Sequence, residues 1–194
     1  GIILAAGESR RMGNINKLLQ EIDGVPMIRK ITEAMLASSL NSDSLVLGYD
    51  AETVANTVKD FPIKFIFNPD YCQGQSQSIR HAIESLNKEV TDVLISLGDM
   101  PLIGTELINQ LIDKHVELQN SKNHITLPEY KGRRGNPVIW GEAFFEELRS
   151  LSGDVGGRAL FEAHPAAVNS FAINEDSILK DVDTVEMLNI LANP

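Results

Sequence analysis

The first seventeen residues combine glycines and basic side chains in a way that could bind phosphate. Ile2 to Ala5 is an apolar run that predicts a short buried strand. The loop after it contains Gly7 and Gly13 together with three cations, Arg10, Arg11 and Lys17. Glycines let the backbone approach a ligand closely, and successive N–H groups beside basic side chains attract phosphate oxygens. The pattern predicts a cradle for a nucleoside triphosphate at the carboxyl end of the first strand.

Neither of the two standard phosphate-binding loops fits this segment. Gly7 lies six residues before Gly13, and Asn14 follows where a P-loop requires lysine. Ala5-Ala6-Gly7 does not supply the Gly-x-Gly of the dinucleotide fingerprint. On the loop alone, a solvated glycine turn with surface arginines is an equal alternative.

Two aspartates follow predicted strands and could hold a metal ion. Asp99 comes just after an apolar strand predicted at 92–97, and Asp183 follows a strand predicted at 178–182. Carboxyl ends of parallel strands share one edge of a sheet, so both carboxylates are expected beside the first loop. Magnesium there would take one or two carboxylates and substrate phosphate oxygens. The alternatives are a turn closed by Asp99 and a helix capped by Asp183.

Two other turns carry polar groups. Residues 68–79 run from a turn into a helix N-terminus, where hydroxyls and free N–H groups could hold base, ribose or phosphate. Ser76 and Ser78 could equally be simple capping residues. Residues 131–137 form a basic, glycine-punctuated turn, for which a solvated hairpin tip is the alternative.

Alternating short strands and helices must position these groups. Apolar periodicity predicts strands at 2–5, 18–22, 44–48, 63–67, 92–97, 125–127, 137–140, 170–173 and 178–182. It predicts helices at 26–36, 51–58, 74–87, 106–118, 142–148, 158–163 and 185–191. This alternation is typical of a mostly parallel sheet covered on both faces. The sequence has no repeats and no linker-like stretch, so one domain over 1–194 is expected.

Composition narrows the class of protein. The chain of 194 residues has a net charge of −10 and a pI near 4.8, which argues against nonspecific nucleic-acid binding. No apolar stretch approaches the roughly 18–20 residues of a membrane span, and no signal peptide is visible. Cys72 is the only cysteine, so an internal disulfide is impossible and a reducing cytoplasm is expected. The four histidines lack the paired spacing of zinc ligands.

The N-terminal segment resembles the signature of the small nucleotidyltransferases of molybdenum cofactor maturation. The match runs Leu4-Ala5-Ala6-Gly7-x-Ser9-x-Arg11-Met12-Gly13, with Lys17 just beyond. It is most similar to the molybdenum cofactor cytidylyltransferases, which are relatives of the molybdopterin guanylyltransferases. One departure is that three residues separate Gly13 from Lys17, where many members have two.

Five later motifs carry the resemblance along nearly the whole chain. Asn68, Gly74 and Ser78 match a nucleotide-contacting segment, and Leu97-Gly98-Asp99-x-Pro101 matches the motif of the metal-binding aspartate. Asp183-Thr184-Val185-Glu186 resembles the second carboxylate motif, with valine in place of proline. On the acceptor side the matching positions are Gly132, Gly135, Asn136 and Pro137, and then the run 151–158, which resembles Leu-x-Gly-Asp-x-Gly-x-Arg.

The resemblance implies a fold and an activity. The fold would be a three-layer α/β/α sandwich, Rossmann-like and of the nucleotide-diphospho-sugar transferase type. The reaction would join a nucleotide from CTP to the terminal phosphate of molybdopterin, with release of pyrophosphate. CTP is preferred because Ala6 stands where guanylyltransferases usually have glycine. The alternatives are GTP as donor, another phosphorylated small molecule as acceptor, or a non-catalytic nucleotide-binding regulator.

The resemblance also assigns roles to residues. Catalysis would use Arg11, Lys17 and Asp99, and Mg²⁺ would be held by Asp99 and Asp183. The nucleotide-binding residues would be Leu4, Ala5, Ala6, Gly7, Ser9, Arg11, Gly13, Lys17, Asn68, Gly74, Ser78 and Asp99. The acceptor-binding residues would be Arg134, Gly135, Asn136, Pro137 and Asp154. Expected partners are the nucleotide and a phosphorylated pterin cofactor, with transient contact to a molybdoenzyme or cofactor chaperone, and neither nucleic acid nor membrane.

Overall fold

The computed structural model describes residues 1–13, 15–154 and 156–192. Its strands, in chain order, are β1 Ile2–Ala5, β2 Glu21–Ile22, β3 Val25–Pro26, β4 Ser44–Leu47, β5 Lys64–Phe67, β6 Asp92–Leu97, β7 Ile125–Tyr130, β8 Arg133–Arg134, β9 Val138–Gly141 and β10 Val168–Ala172. Its α-helices are α1 Met27–Leu36, α2 Ala51–Thr57, α3 Gln75–Glu84, α4 Thr105–Val116, α5 Phe145–Ser150, α6 Arg158–Ala163 and α7 Val185–Ala192.

The strands β10-β7-β9-β6-β1-β4-β5 lie side by side in one sheet, in which β8 also pairs with β7. Strand β1 is parallel to both neighbours, β4 and β6, and β5 is parallel to β4. Strand β9 is antiparallel to β6 and β7. The carboxyl ends of β1, β4, β5 and β6 therefore meet at one edge, and the predicted mostly parallel sheet is confirmed.

Both faces of the sheet are covered. Ile2 and Leu4 of β1 pack in an apolar cluster with α3, α5 and α6, whereas Ile3 and Ala5 pack in a second cluster with α1, α2 and α4. A strand buried on both faces has no polar alternation, which is why Ile2–Ala5 is continuously apolar. The predicted three-layer α/β/α sandwich is confirmed.

A small third cluster brings the end of the chain to the site. Ile22, Met27 and Val182 are buried together, with Leu188 of α7 packed against them. The Val182 N–H donates a 2.9 Å hydrogen bond to the backbone oxygen of Asp99. The segment that carries Asp183 is thereby fixed next to the end of β6.

The sequence prediction was wrong in two segments near the site. The strand predicted at 178–182 is absent, because Ser177–Leu179 forms a 3-10 turn in which Ile178 is buried. The strand predicted at 18–22 begins only at Glu21, since Lys17–Leu19 is a 3-10 turn capped by the side chain of Asn16. Leu18 and Ile178 are thus buried residues of 3-10 turns rather than of strands.

The basic turn at 131–137 folds back on β7. The strand predicted at 125–127 extends to Tyr130, and Arg133–Arg134 pairs with Glu129 and Tyr130 in antiparallel register. No helix in the described part of the chain is long and apolar enough to cross a bilayer.

Candidate active site

A cavity of about 590 Å³ opens at the carboxyl ends of β1 and β6. The described residues on its wall include these predicted nucleotide-binding positions: Leu4, Ala5, Ala6, Gly7, Ser9, Arg11, Lys17, Gly74, Ser78 and Asp99. Gly13 and Asn68 are the predicted positions that do not line it. Gly13 instead ends the 3-10 turn Arg10–Met12, with a φ of 69°.

Asn68 lies behind the cavity wall as a buried support. Its side-chain amide donates a 3.0 Å hydrogen bond to Ser78 Oγ, and its Oδ1 accepts a 2.9 Å hydrogen bond from the Asp70 N–H. The side chain is fully buried. Asn68 thus ties the end of β5 to α3 and orients Ser78, which does reach the cavity.

Lys17 is the cation at the centre of the site. Its backbone N–H donates to Ser9 Oγ at 3.2 Å, and the Asn16 side chain caps the turn that Lys17 begins. The ammonium Nζ lies 2.5 Å from Asp99 Oδ2 and 2.7 Å from Asp183 Oδ1. In this structure the lysine that was predicted for phosphate therefore bridges the two predicted metal carboxylates.

Three carboxylates form the acidic side of the site. Asp99, Asp181 and Asp183 each offer an oxygen, and these oxygens all lie within 4.8 Å of one another. Arg11 Nη2 lies 2.7 Å from Asp183 Oδ2. Asp99 Oδ1 is buried and has no hydrogen-bond partner among the described residues. A buried carboxylate oxygen without a donor is unfavourable and can accept a cation.

The charges in this cluster shift one another's titration. Burial alone would lower the pKa of Lys17, but Asp99 and Asp183 outweigh it and raise that pKa. Burial alone would raise the pKa of Asp183, but hydrogen bonds from Lys17 and Asp181 and the charge of Arg11 lower it. The pKa of Asp181 is raised by burial and by its hydrogen bond with Asp183. Lys17 is therefore held as a cation and Asp183 as an anion.

A second cavity, of about 290 Å³, lies beside the first. Arg134, Gly135, Asn136 and Asp154, all predicted for the acceptor, lie on its wall. The predicted acceptor residue Pro137 is buried and is not one of the described lining residues. The remaining wall is largely apolar and includes Trp140 and Phe161, whose rings stack with centroids 5.4 Å apart.

The run 151–158 connects the two cavities, because Asp154 lines both of them. Val155 lies outside the described residues. The Ser76 N–H donates to the Gly153 oxygen at 3.3 Å, and the Gln75 N–H donates to Asp154 Oδ1 at 3.4 Å. The loop therefore covers the amino end of α3. Gly74, with a φ of 107°, has no room for a Cβ, which would lie 2.6 Å from the Gly153 oxygen.

The sequence profile of the MobA-like NTP transferase domain matches residues 1–168. The chain belongs to the MobA-like NTP transferase family. The family resemblance seen in the sequence motifs is therefore confirmed. Membership places the chain among nucleotidyltransferases of the MobA-like type, in agreement with a cavity at the carboxyl ends of parallel strands.

Two curated relatives of this MobA-like chain have different names and extents. The nicotine blue oxidoreductase of Paenarthrobacter nicotinovorans is 26% identical over 196 residues, which covers 97% of this chain and 93% of that protein. The bifunctional protein GlmU of Gloeothece citriformis is 31% identical over 134 residues, which covers 67% of this chain and only 30% of that protein.

Solved structures with the same fold cover the whole MobA-like chain. Rv0371c from Mycobacterium tuberculosis H37Rv has a TM-score of 0.84 at 23% identity, covering 100% of this chain and 96% of that one. A further structure of that protein, at a TM-score of 0.80 and 22% identity with the same coverage, is a complex with manganese. A nucleotidyl transferase from Methanothermobacter thermautotroptrophicus has a TM-score of 0.84 at 15% identity, covering 99% and 94%.

Sequence reasoning missed three residues of this MobA-like site. Asp181 belongs to the carboxylate cluster, and its place two residues before Asp183 was the available signal. Asn16 positions Lys17, and its place directly before an apolar turn is typical of a cap. Gln75 lines both cavities, and its place in the polar segment 68–79 was the available signal.

Proposed function

We propose that this protein is a cytidylyltransferase that transfers CMP from CTP to the terminal phosphate of molybdopterin and releases pyrophosphate. The observation that carries the proposal is the juxtaposition of Lys17 with Asp99 and Asp183 at the mouth of the larger cavity. The Lys17 ammonium lies less than 3 Å from an oxygen of each carboxylate. Such a close arrangement of a cation and carboxylates suits a metal–triphosphate complex. The adjoining smaller cavity provides space for the acceptor.

Mg²⁺ fits the carboxylate cluster. Octahedral Mg²⁺ has bonds of about 2.1 Å, so two of its ligand oxygens lie about 3 to 4 Å apart. The oxygens of Asp99, Asp181 and Asp183 are within 4.8 Å of one another, and Asp99 Oδ1 has no partner among the described residues. Asp99 and Asp183 would hold the ion, which when bound supplies positive charge for the triphosphate. The manganese complex of Rv0371c is consistent with a divalent ion in this fold.

The protein's own residues would align and neutralise the reacting groups. An oxygen of the acceptor phosphate bonds to the α-phosphorus of CTP, and the bond from that phosphorus to the leaving oxygen breaks, so that pyrophosphate leaves with the electron pair. The attacking phosphate is already anionic at neutral pH, so no general base is required. Arg11 and Lys17 line the cavity and would counter the charge on the triphosphate.

The preference for CTP rests on Ala6. Ala6 and Tyr71 both line the larger cavity, and Ala6 is 4% exposed. A Cβ built on Gly48 would lie 2.8 Å from the Ala6 methyl and 2.6 Å from Tyr71 Cβ, so both side chains pack closely against the Gly48 backbone. A methyl group at position 6 would leave less space for the base than glycine does, which would favour a pyrimidine over a purine.

A second candidate function is oxidoreduction. It is favoured by the nicotine blue oxidoreductase of Paenarthrobacter nicotinovorans, which is 26% identical over 97% of this chain. The cluster of Lys17 with three carboxylates suits phosphate chemistry, whereas hydride transfer requires no such cluster. Oxidoreduction is therefore the second candidate.

Pyrophosphate release tests the proposal directly. The protein is incubated with Mg²⁺ and molybdopterin and with either CTP or GTP, and Asp99→Ala serves as the inactive variant. We expect pyrophosphate in proportion to product with CTP, slower release with GTP, and none from Asp99→Ala despite an unchanged circular dichroism spectrum. Turnover by Asp99→Ala at saturating Mg²⁺ would falsify the metal role. If neither nucleotide yields pyrophosphate and the protein instead oxidises an added hydride donor such as NADPH, oxidoreduction becomes the better account.

A further inference from the structure

We propose that Gln75 contacts the phosphate under transfer, at the junction between the two cavities. This inference rests on the proposed nucleotidyl transfer and adds to it a residue to which neither the sequence motifs nor the metal cluster assigns a role. The two cavities share one wall.

Four described residues line both cavities: Leu4, Gln75, Leu97 and Asp154. Leu4 and Leu97 come from the carboxyl ends of β1 and β6 and form an apolar floor. The polar groups at the junction are therefore the Gln75 carboxamide and the Asp154 carboxylate. An ionised carboxylate only accepts hydrogen bonds, whereas a carboxamide has two N–H donors. Gln75 is the side chain at the junction that can donate to a phosphate.

The Gln75 side chain lies at the wall that the two cavities share. Gln75 is the first residue of α3, and its backbone N–H is already bonded to Asp154 Oδ1 at 3.4 Å. Its carboxamide has no hydrogen-bond partner in the described part of the chain. A Cβ at Gly156 would lie 2.7 Å from Gln75 Oε1, so the loop packs directly on the carboxamide and limits its rotamers. With respect to the described residues, the carboxamide is confined and both of its N–H donors are unpaired.

The chemistry requires a donor at this place. The attacking oxygen and the α-phosphorus must approach to about 3 to 3.5 Å, and they arrive from different cavities, so they meet at the shared wall. Both groups are anionic and repel each other, and the Asp154 carboxylate adds negative charge nearby. Two N–H groups on one carboxamide can bond one oxygen on each side of the junction. The two phosphates are closest to each other in the transition state, so a contact to both is strongest there and stabilises the transition state more than the complex with both substrates bound.

Steady-state kinetics of point variants test the inference. Gln75→Ala removes the donor, Gln75→Glu keeps the shape but replaces donors with charge, and Gln77→Ala is a matched control on the same helix that lines neither cavity among the described residues. With CTP, Mg²⁺ and molybdopterin, we expect Gln75→Ala to lower kcat about 10- to 100-fold, the value of a hydrogen bond to a charged group. The KM for CTP should change little. Gln75→Glu should be at least as slow, and Gln77→Ala should match the wild type.

The outcomes separate this inference from the proposed function. If the wild type releases pyrophosphate and both folded Gln75 variants keep its kcat, the junction role is wrong and the transferase proposal stands. A raised KM for CTP at unchanged kcat would also overturn it, because Gln75 would then only bind the donor. If the wild type releases no pyrophosphate with any nucleotide, the proposed function fails and this inference fails with it. Should Gln75→Ala unfold, the isosteric Gln75→Glu decides alone.

Discussion

Replacing Lys17 by methionine removes the ammonium that bridges Asp99 and Asp183 while keeping most of the side-chain volume. The lost contacts are hydrogen bonds of 2.5 and 2.7 Å to two carboxylates. The Lys17 side chain is 13% exposed, and those of Asp99 and Asp183 are 16% and 22% exposed, so solvent screens the charges only in part. Without Lys17, three neighbouring carboxylates keep only Arg11 as an ion-pair partner among the described residues.

The size of the effect follows from these contacts. A hydrogen bond between charged groups contributes about 1.5 to 3 kcal/mol, and removing one partner of a buried pair costs about 3 to 5 kcal/mol. Partial exposure places this site at the lower end, so we expect a loss of about 2 to 3 kcal/mol in the absence of metal and nucleotide. For a chain of this size, that loss lowers Tm by roughly 5 to 10 °C.

Differential scanning fluorimetry with and without Mg²⁺ measures both the loss of stability and the change in metal binding. In the wild type a divalent ion must displace the Lys17 ammonium, whereas in Lys17→Met the carboxylates are free to bind it. Mg²⁺ should therefore raise the Tm of the variant more than that of the wild type. Lys180→Met is the control, because Lys180 pairs with Asp176 at 2.8 Å on the surface, and its loss should cost less than about 0.5 kcal/mol. A metal-free Lys17→Met protein as stable as the wild type, or an equal Mg²⁺ shift, would refute the account.

Three further predictions concern the scaffold. Gly74→Ala should destabilise the protein and weaken activity, because its Cβ would lie 2.6 Å from the Gly153 oxygen. Gly7→Ala would place its Cβ near no atom within 4 Å, so it should lower nucleotide affinity without loss of Tm. Urea unfolding measures the first effect and CTP titration the second. His115→Ala should lower the free energy of unfolding in urea by about 3 kcal/mol with kcat unchanged, since the contacts of the buried ring at 2.9 Å to Asp92 and 2.8 Å to Thr126 are lost. A decrease of less than about 1 kcal/mol would contradict this prediction. Arg29 hydrogen-bonds Asp60 and lowers its pKa to about 2, so this pair stabilises the fold above about pH 4 and its contribution is lost as the pH falls towards 2; NMR titration of Arg29→Met should return Asp60 to its ordinary range.

Local features made much of the fold predictable. The continuous apolar runs of β1 and β6 and the periodicity of α3 and α6 are properties of short segments, and those elements were found at or close to their observed bounds. The segment 178–182 was misread because its apolar residues are buried by a 3-10 turn and a loop, which leave the same apolar signature as a short strand.

The contacts of the candidate site were less predictable than its residues. Lys17 and Asp99 were selected from local patterns, but their pairing spans 82 residues, and that of Lys17 with Asp183 spans 166. The sequence indicated a phosphate role for Lys17 and gave no sign that its ammonium would bridge two carboxylates. Gln75 was missed for the same reason, since its position depends on a loop 79 residues away.

A thermal shift with CTP, GTP, ATP and UTP, each with and without Mg²⁺, would show whether the cavity binds a metal–nucleotide complex. At 100-fold excess over Kd, binding stabilises the folded state by about 2.7 kcal/mol, or roughly 5 to 10 °C for a chain of this size. Our account predicts a Mg²⁺-dependent shift that is largest with CTP and is lost in Asp99→Ala. The absence of a shift with every nucleotide at millimolar concentration, in the presence of Mg²⁺, would contradict it.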